Sequence, residues 1–422
     1  MIQPVRPGFP APPSTAPSSP GPAAPPEPRD SASTAGQPAS PELSGRQVAE
    51  LVFGSKREDD KVAWRTRTPG NDAGWPEPCP GGGVLLSDGD GVVRLDADGN
   101  QLWRHPREQW THARPVPTPD GGCVWAPGGG GLVALDAQGK PKWRWGQGLA
   151  MQTIQPAVGP DGTTYVCVKD EGWKLVAVGA DGEPRWKAPL AMHASSPPVL
   201  HPDGRVSVRV DDSEDTRVAT FDRDGHPVYQ ASVPGRVEGR LGLGPDGSIW
   251  VGNADGKLFQ VTPEGRTREV FQARGALRGA PLVEADGRVF VTTMEGYVYG
   301  LKPDGTQAWR ANPGGVLTSS VVRHPDGTLL VGGFDKAVHA FTPEGRPKWV
   351  VPLEFSGDDG VAAAPDGTVY VAGRNQVLAL REGGIRVDLE HLPDAPEAGT
   401  IQEEGEWVTV GDIRLPVRSQ DS

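Results

Sequence analysis

The chain is predicted to fold as a single all-β propeller of four-stranded blades, and three observations predict it. First, an Asp-Gly turn recurs at Asp120, Asp161, Asp203, Asp246, Asp286, Asp326 and Asp366, with a degenerate first copy at Gly81-Gly82. Successive steps are 39, 41, 42, 43, 40, 40 and 40 residues, the period of a β-propeller blade. Second, each turn is followed by short apolar runs such as Val289-Phe290-Val291 and Val298-Tyr299. A helical solenoid of this period would need long stretches of 3.6 periodicity, and the repeats contain none. Third, a Trp stands at a fixed distance before the turn: Trp64, Trp103, Trp186, Trp309 and Trp349 each precede the turn position by 17 residues.

The clearest unit runs from His324 to Trp349. Pro325, Asp326 and Gly327 form a turn in which Pro presets φ, Asp bonds its own backbone and Gly takes the left-handed position. Leu329–Val331 and Val338–Phe341 are strands separated by a second bend. Pro343, Glu344 and Gly345 make a third turn, and Trp349 lies on the strand after it. Strong turn signals at this spacing describe antiparallel hairpins.

Taken in order, residues 1–45 hold 13 prolines among many Ala and Ser. Such a segment cannot bury a core and is expected to be a disordered tail. Residues 46–60 place Val48, Leu51 and Val52 at helical spacing, so a short amphipathic helix or linker is expected, capped by Ser44. It would fold onto the rim or serve a partner as a docking motif. The propeller is expected over 61–418, with a tail at 419–422. Trp64 reads as an outer strand with no repeat before it, and Glu404–Val410 and Ile413–Val417 read as inner strands at the other end. Pairing these termini would close the ring and remove both sheet edges. Counted literally, this makes eight whole repeats plus one split blade.

Strands apolar on both faces imply blades stacked face to face. The recurrent Trp64, Trp103, Trp143, Trp186, Trp309 and Trp349 are expected to pack between neighbouring blades, each N–H finding a carbonyl.

Net charge is −12 and the pI about 5.2, which argues against a nucleic-acid surface. Cys79, Cys123 and Cys167 are few, odd in number and scattered, so they read as small buried residues rather than a disulfide framework or zinc site. There is no apolar leader, no lipid-attachment Cys and no run approaching a membrane helix. The protein is expected in the cytoplasm as written, or in the periplasm if the start is misassigned, and as a monomer.

Leu132-Val-Ala-Leu-Asp-Ala-Gln-Gly-Lys-Pro-Lys-Trp143 resembles the repeat of pyrroloquinoline-quinone-type propellers, through Ala134, Asp136, Gly139, Lys140 and Trp143. The resemblance covers residue 61 to about 390 and implies an eight-bladed ring. In that family's dehydrogenases the quinone lies on a Trp beneath adjacent cysteines with calcium beside it. No adjacent Cys pair occurs here, so the resemblance implies the fold without the cofactor. It points to the non-catalytic branch, to which an outer-membrane assembly lipoprotein belongs.

Chemical motifs are thin. Asp88, Asp90, Asp96 and Asp98 could suggest calcium, but Asp-Gly pairs already serve as turns. Asp211, Asp212, Glu214 and Asp215 read as a solvated loop, and His201 and His324 share one structural slot before the turn. No catalytic, cofactor or metal site is expected. The residues that differ from blade to blade lie before each turn: His112, Arg114, Gln155, Glu238, Arg240, Arg278 and Asp358. Freed from packing, they are expected at the channel mouth, as solvated residues or as a rim that meets a partner. The function expected is a non-enzymatic scaffold for protein partners. The alternatives are a propeller enzyme, quinone-dependent or a lyase, and a small-ligand or sugar sensor.

Overall fold

A computed structural model shows eight four-stranded antiparallel blades. It describes residues 62–381 and the strands at 401–404, 407–410 and 413–416; within 62–381 it leaves out 69–72, 89, 107–113, 128–129, 152–154, 195, 212–215, 314, 318 and 358–359. These all belong to one compact unit, Ser40–Ser422. The tail expected over 1–45 and the helix expected over 46–60 lie outside the described residues.

Blades 1 to 7 are consecutive in the chain, at 74–106, 116–145, 150–190, 193–233, 242–272, 282–311 and 322–352. In blades 3 and 4 the inner strand comes in two pieces, such as Ala150–Met151 and Ala157–Val158, both paired with Thr164–Lys169. Blade 8 takes its three inner strands from 361–380 and its outer strand, Val62–Arg67, from the other end of the chain. Thr66 pairs with Val377 and Trp64 with Ala379.

That pairing corrects the literal count. The eighth repeat and the orphan strand at Trp64 are two parts of one blade, so among the described residues the ring has eight blades. The C-terminal strands Ile401–Glu404, Trp407–Val410 and Ile413–Pro416 do not close it. They pair with one another in a separate three-stranded sheet. The N-terminal strand needs three inner strands with one free edge, and Gln376–Leu380 already presents that edge.

The turns follow from their residues. His324 N–H donates to Thr328 O at 2.8 Å and Gly327 N–H to His324 O at 2.9 Å, a two-bond hairpin end. Gly327 has φ +93, and Asp326 Oδ1 accepts from Thr328 N–H at 2.8 Å. The other Asp-Gly turns repeat this pattern. The shared slot before the turn is structural, as expected. His324 contacts Asp326 at 2.6 Å and Gly367 O of the next blade at 2.9 Å, while His201 contacts Ser207 Oγ at 2.8 Å.

The core lies between blades. Leu330 and Val338 of blade 7 pack with Val371 and Leu378 of blade 8, and Val166 and Val176 of blade 3 with Val124 and Ala134 of blade 2. Outside this core, the recurrent Trp clamps one blade to the next. Trp64, Trp103, Trp143, Trp186 and Trp309 donate Nε1–H to Ala97, Ala137, Ala180, Arg223 and Pro343 carbonyls at 2.8–2.9 Å. Each acceptor sits in the following blade's last turn, whose left-handed glycine lies flat against the Trp ring. A Cβ on Gly139 would come within 2.6 Å of Trp103, and one on Gly345 within 2.4 Å of Trp309. Tyr229 and Val270 take the ring's place against Gly265 and Gly305. These Trp side chains are half-buried, as is Trp349.

Candidate functional site

Each inner strand enters its blade from the ring axis, so the residue six before the turn Asp stands at the channel. Arg114, Gln155, Arg240 and Gly360 occupy that place in blades 2, 3, 5 and 8. In blade 1, where Gly81 replaces the Asp, the same offset gives Trp75. The ring brings these residues together. The Arg114 guanidinium lies 3.0 Å from the Trp75 ring centroid and that of Arg240 lies 4.9 Å from it. Such stacking is a favourable cation–π arrangement. Gly360, at φ +114, leaves room for the same indole: a Cβ there would meet Trp75 Cε3 at 2.7 Å.

Glu77 supplies the negative charge two residues on. Gln155 Nε2 donates to Glu77 Oε1 at 2.9 Å, joining blades 3 and 1. Burial raises the Glu77 carboxyl above its usual range, while Arg114, the Gln155 hydrogen bond and Arg240 pull it partly back. Burial likewise lowers Arg240, opposed by Glu77. Side chains from four blades therefore cross the axis as one charged cluster around an indole.

The expected rim divides in two. Arg114, Gln155 and Arg240 turn inward to this cluster. Glu238 and Arg278 form an ion pair with each other, and Arg236 reaches Glu238 at 2.9 Å. Arg240 N–H donates to Arg278 O at 3.2 Å, tying the two halves through the backbone. Arg209 bonds to Asp211 at 3.0 Å and to the Gly239 carbonyl, both its side chain and that of Asp211 being buried. His112 and Asp358 lie outside the described residues, as do Asp212, Glu214 and Asp215.

Trp75 and Glu77 are the members of the site that the sequence reading passed over. The signal was available. Applied to the degenerate first repeat, the offset that picks out Arg114 and Arg240 picks out Trp75. Glu77 stands where the other blades carry Val116, Ala157, Val199, Gly242, Leu282, Val322 and Ala362. A carboxylate in a slot otherwise small or apolar is a departure from the repeat.

Asp88, Asp96 and Asp222 have structural partners. Asp88 is buried and accepts from Arg104 at 2.6 and 2.9 Å. Asp96 caps its own turn, accepting from Asp98 and Asn100 N–H at 2.9 and 2.8 Å. Asp222, Asp224 and His226 come close enough to share a cation, yet Asp222 Oδ1 already accepts from both of the other backbone N–H groups. The three cysteines are free thiols and buried.

An eight-bladed ring built from this repeat defines a propeller of the pyrroloquinoline-quinone-like repeat class. A profile described as outer membrane protein assembly factor BamB matches residues 43–155 and 214–353, more than half of the chain, and the chain belongs to that family. Among solved structures it is similar to BamB from Moraxella catarrhalis, at 16% identity and TM-score 0.59 over 77% of this chain and 98% of that one. It is equally similar to the computationally designed Ika8 protein, at 14% identity and TM-score 0.60 over 76% of this chain and 99% of that one. No curated protein matches.

Proposed function

We propose that this propeller is a non-enzymatic scaffold whose partners are proteins, an assembly factor in the sense of its family. The observation that carries the reading is the state of the axis. Tryptophan and arginine gathered at one place are the side chains that most often anchor a protein partner. Here Trp75 is covered by Arg114 and Arg240, and Glu77 is held by Gln155. Family membership and the similarity to BamB support the same reading. The charges around the mouth, the exposed Arg236 and the half-buried Arg278 with Glu238 between them, are suited to orienting a partner. Among the described residues no helix is long and apolar enough to cross a membrane.

The test uses the full chain in its native host, with a photo-crosslinking residue at position 236 or 278 and, as a control, at Asp203 on the first hairpin turn of blade 4. The expected result is a discrete protein adduct from the mouth and none from the control. Quinone uptake by the purified protein with dehydrogenase activity, or identical adduct patterns from mouth and control, would overturn the reading.

A further inference from the structure

Arg240 is the least explained part of the axial cluster. Its guanidinium carries five N–H donors. Among the described residues they donate no hydrogen bond; the side chain is engaged only by the Trp75 ring and the charge of Glu77. Burial raises the cost of leaving such a group unmatched. A second guanidinium, that of Arg114, lies on the same indole and adds positive charge beside it. The repeat does not require any of this, since the same slots in other blades hold Pro197, Ala280, Ser320 and Gly360. Trp75 itself adopts φ +38, a left-handed conformation that non-glycine residues resist. Strain held at a convergence of charges is characteristic of a binding site.

We propose that the axis is a carboxylate-binding site for an acidic segment of a protein partner. The Arg240 guanidinium takes the carboxylate in a forked pair of hydrogen bonds, as its planar geometry favours. Trp75 is the floor of the site, and Arg114, on the indole too, contributes positive charge. Glu77 is the internal counter-charge that holds the site together when it is empty. The inference rests on the scaffold reading and says which chemistry a partner presents.

The experiment measures binding of fluorescein-labelled hexaglutamate to the purified full chain by anisotropy at physiological salt, with hexaglutamine as the uncharged comparison and acetate as a competitor. Saturable binding of hexaglutamate is expected. Arg240→Gln should weaken it by roughly tenfold or more, the worth of a charged hydrogen-bond pair. Arg240→Lys keeps the charge but loses the fork, so it should also bind more weakly, and it serves as the readout if the Gln variant does not fold. Arg288→Gln, on the surface beside Asp286, should bind as the wild type does. Hexaglutamine binding through its free terminal carboxylate, lost on amidation, would support the site and assign it to a chain end. Absence of saturable peptide binding, unchanged binding in the Lys variant, or capture of the carboxylate by acetate at equal concentration would overturn the proposal. A crosslinked partner retained in full by Arg240→Gln would overturn the axial site while leaving the scaffold reading standing.

Discussion

The guanidinium of Arg240, in blade 5, lies 4.9 Å from the ring centroid of Trp75, in blade 1, on the far side of the axis. A contact between opposite blades means that the channel is spanned by side chains, with Glu77 and Arg114 in the same group. Glu77→Leu supplies the kind of residue the other blades carry, yet it takes away a carboxylate that both guanidinium groups face. It should destabilise the fold by about 1–3 kcal/mol in urea unfolding. Adding Arg240→Leu should recover part of that loss, a coupling of about 1 kcal/mol. Strict additivity of the two changes would show that the charges do not interact.

Two glycines separate backbone strain from interblade packing. Gly139 and Gly148 both have positive φ, +76 and +80. A Cβ on Gly148 meets nothing within 4 Å, whereas one on Gly139 comes 2.6 Å from the Trp103 ring. Gly148→Ala should cost about 1 kcal/mol, the left-handed penalty alone. Gly139→Ala should cost about 2–4 kcal/mol, because the clamp from blade 1 must also shift. Equal melting temperatures for the two variants would mean that the Trp clamp bears no load.

Deleting residues 57–68 removes the strand that completes blade 8 and exposes Gln376–Leu380 as an open edge. Trp64, its ring against Gly99, goes with it. The loss of a large half-buried ring alone is worth about 2–3 kcal/mol, and an unpaired edge promotes aggregation. Melting followed by light scattering should show a lower midpoint and earlier aggregation. A melting curve equal to that of the intact chain would contradict closure by the N-terminal strand.

The turn aspartates make the fold acid-sensitive. Bonds from Lys142 and Thr118 hold Asp120 down to about 2, against an ordinary 3.8. Backbone N–H groups lower Asp161 and Asp286. In Asp326, bonds from Thr328, His324 and Lys348 outweigh burial. A depressed carboxyl binds fewer protons folded than unfolded, so its stabilisation is complete above the unfolded pKa and is lost as pH falls toward the folded one. Glu77, raised, works in the opposite sense, one group against many. The urea midpoint should hold from pH 7 to about 5 and fall steeply below about 4. A flat midpoint down to pH 2.5 would mean that the turns contribute nothing through their charge.

The thiols should be silent in the folded protein. Burial pushes Cys79 and Cys167 up to about 12 and raises Cys123 as well, and the thiolate is the reactive form. A thiol reagent at pH 8 should titrate none of the three in the native state and all three in urea. Prompt reaction of any one of them would place it at the surface.

By itself the sequence determined the propeller, the period of its repeats, the turn chemistry and the interblade Trp. Those features solve the same local packing problem once in every repeat, so they leave a period that can be counted. It also marked Arg114, Gln155 and Arg240 as residues that vary where the turns do not. Tertiary structure decided the rest. Which free edge the strand at Trp64 completes depends on which edge the closing ring presents, and Gln376–Leu380 took the place expected of the strands at 404–410 and 413–417. Whether Arg240 faces outward with Arg278 or inward to Trp75 and Glu77 depends on residues more than 150 positions away, brought to the axis only when blades 1 and 5 stand opposite each other. Repetition records what each blade needs from its neighbour. It carries no record of what meets at the centre, because that is set by all eight blades at once.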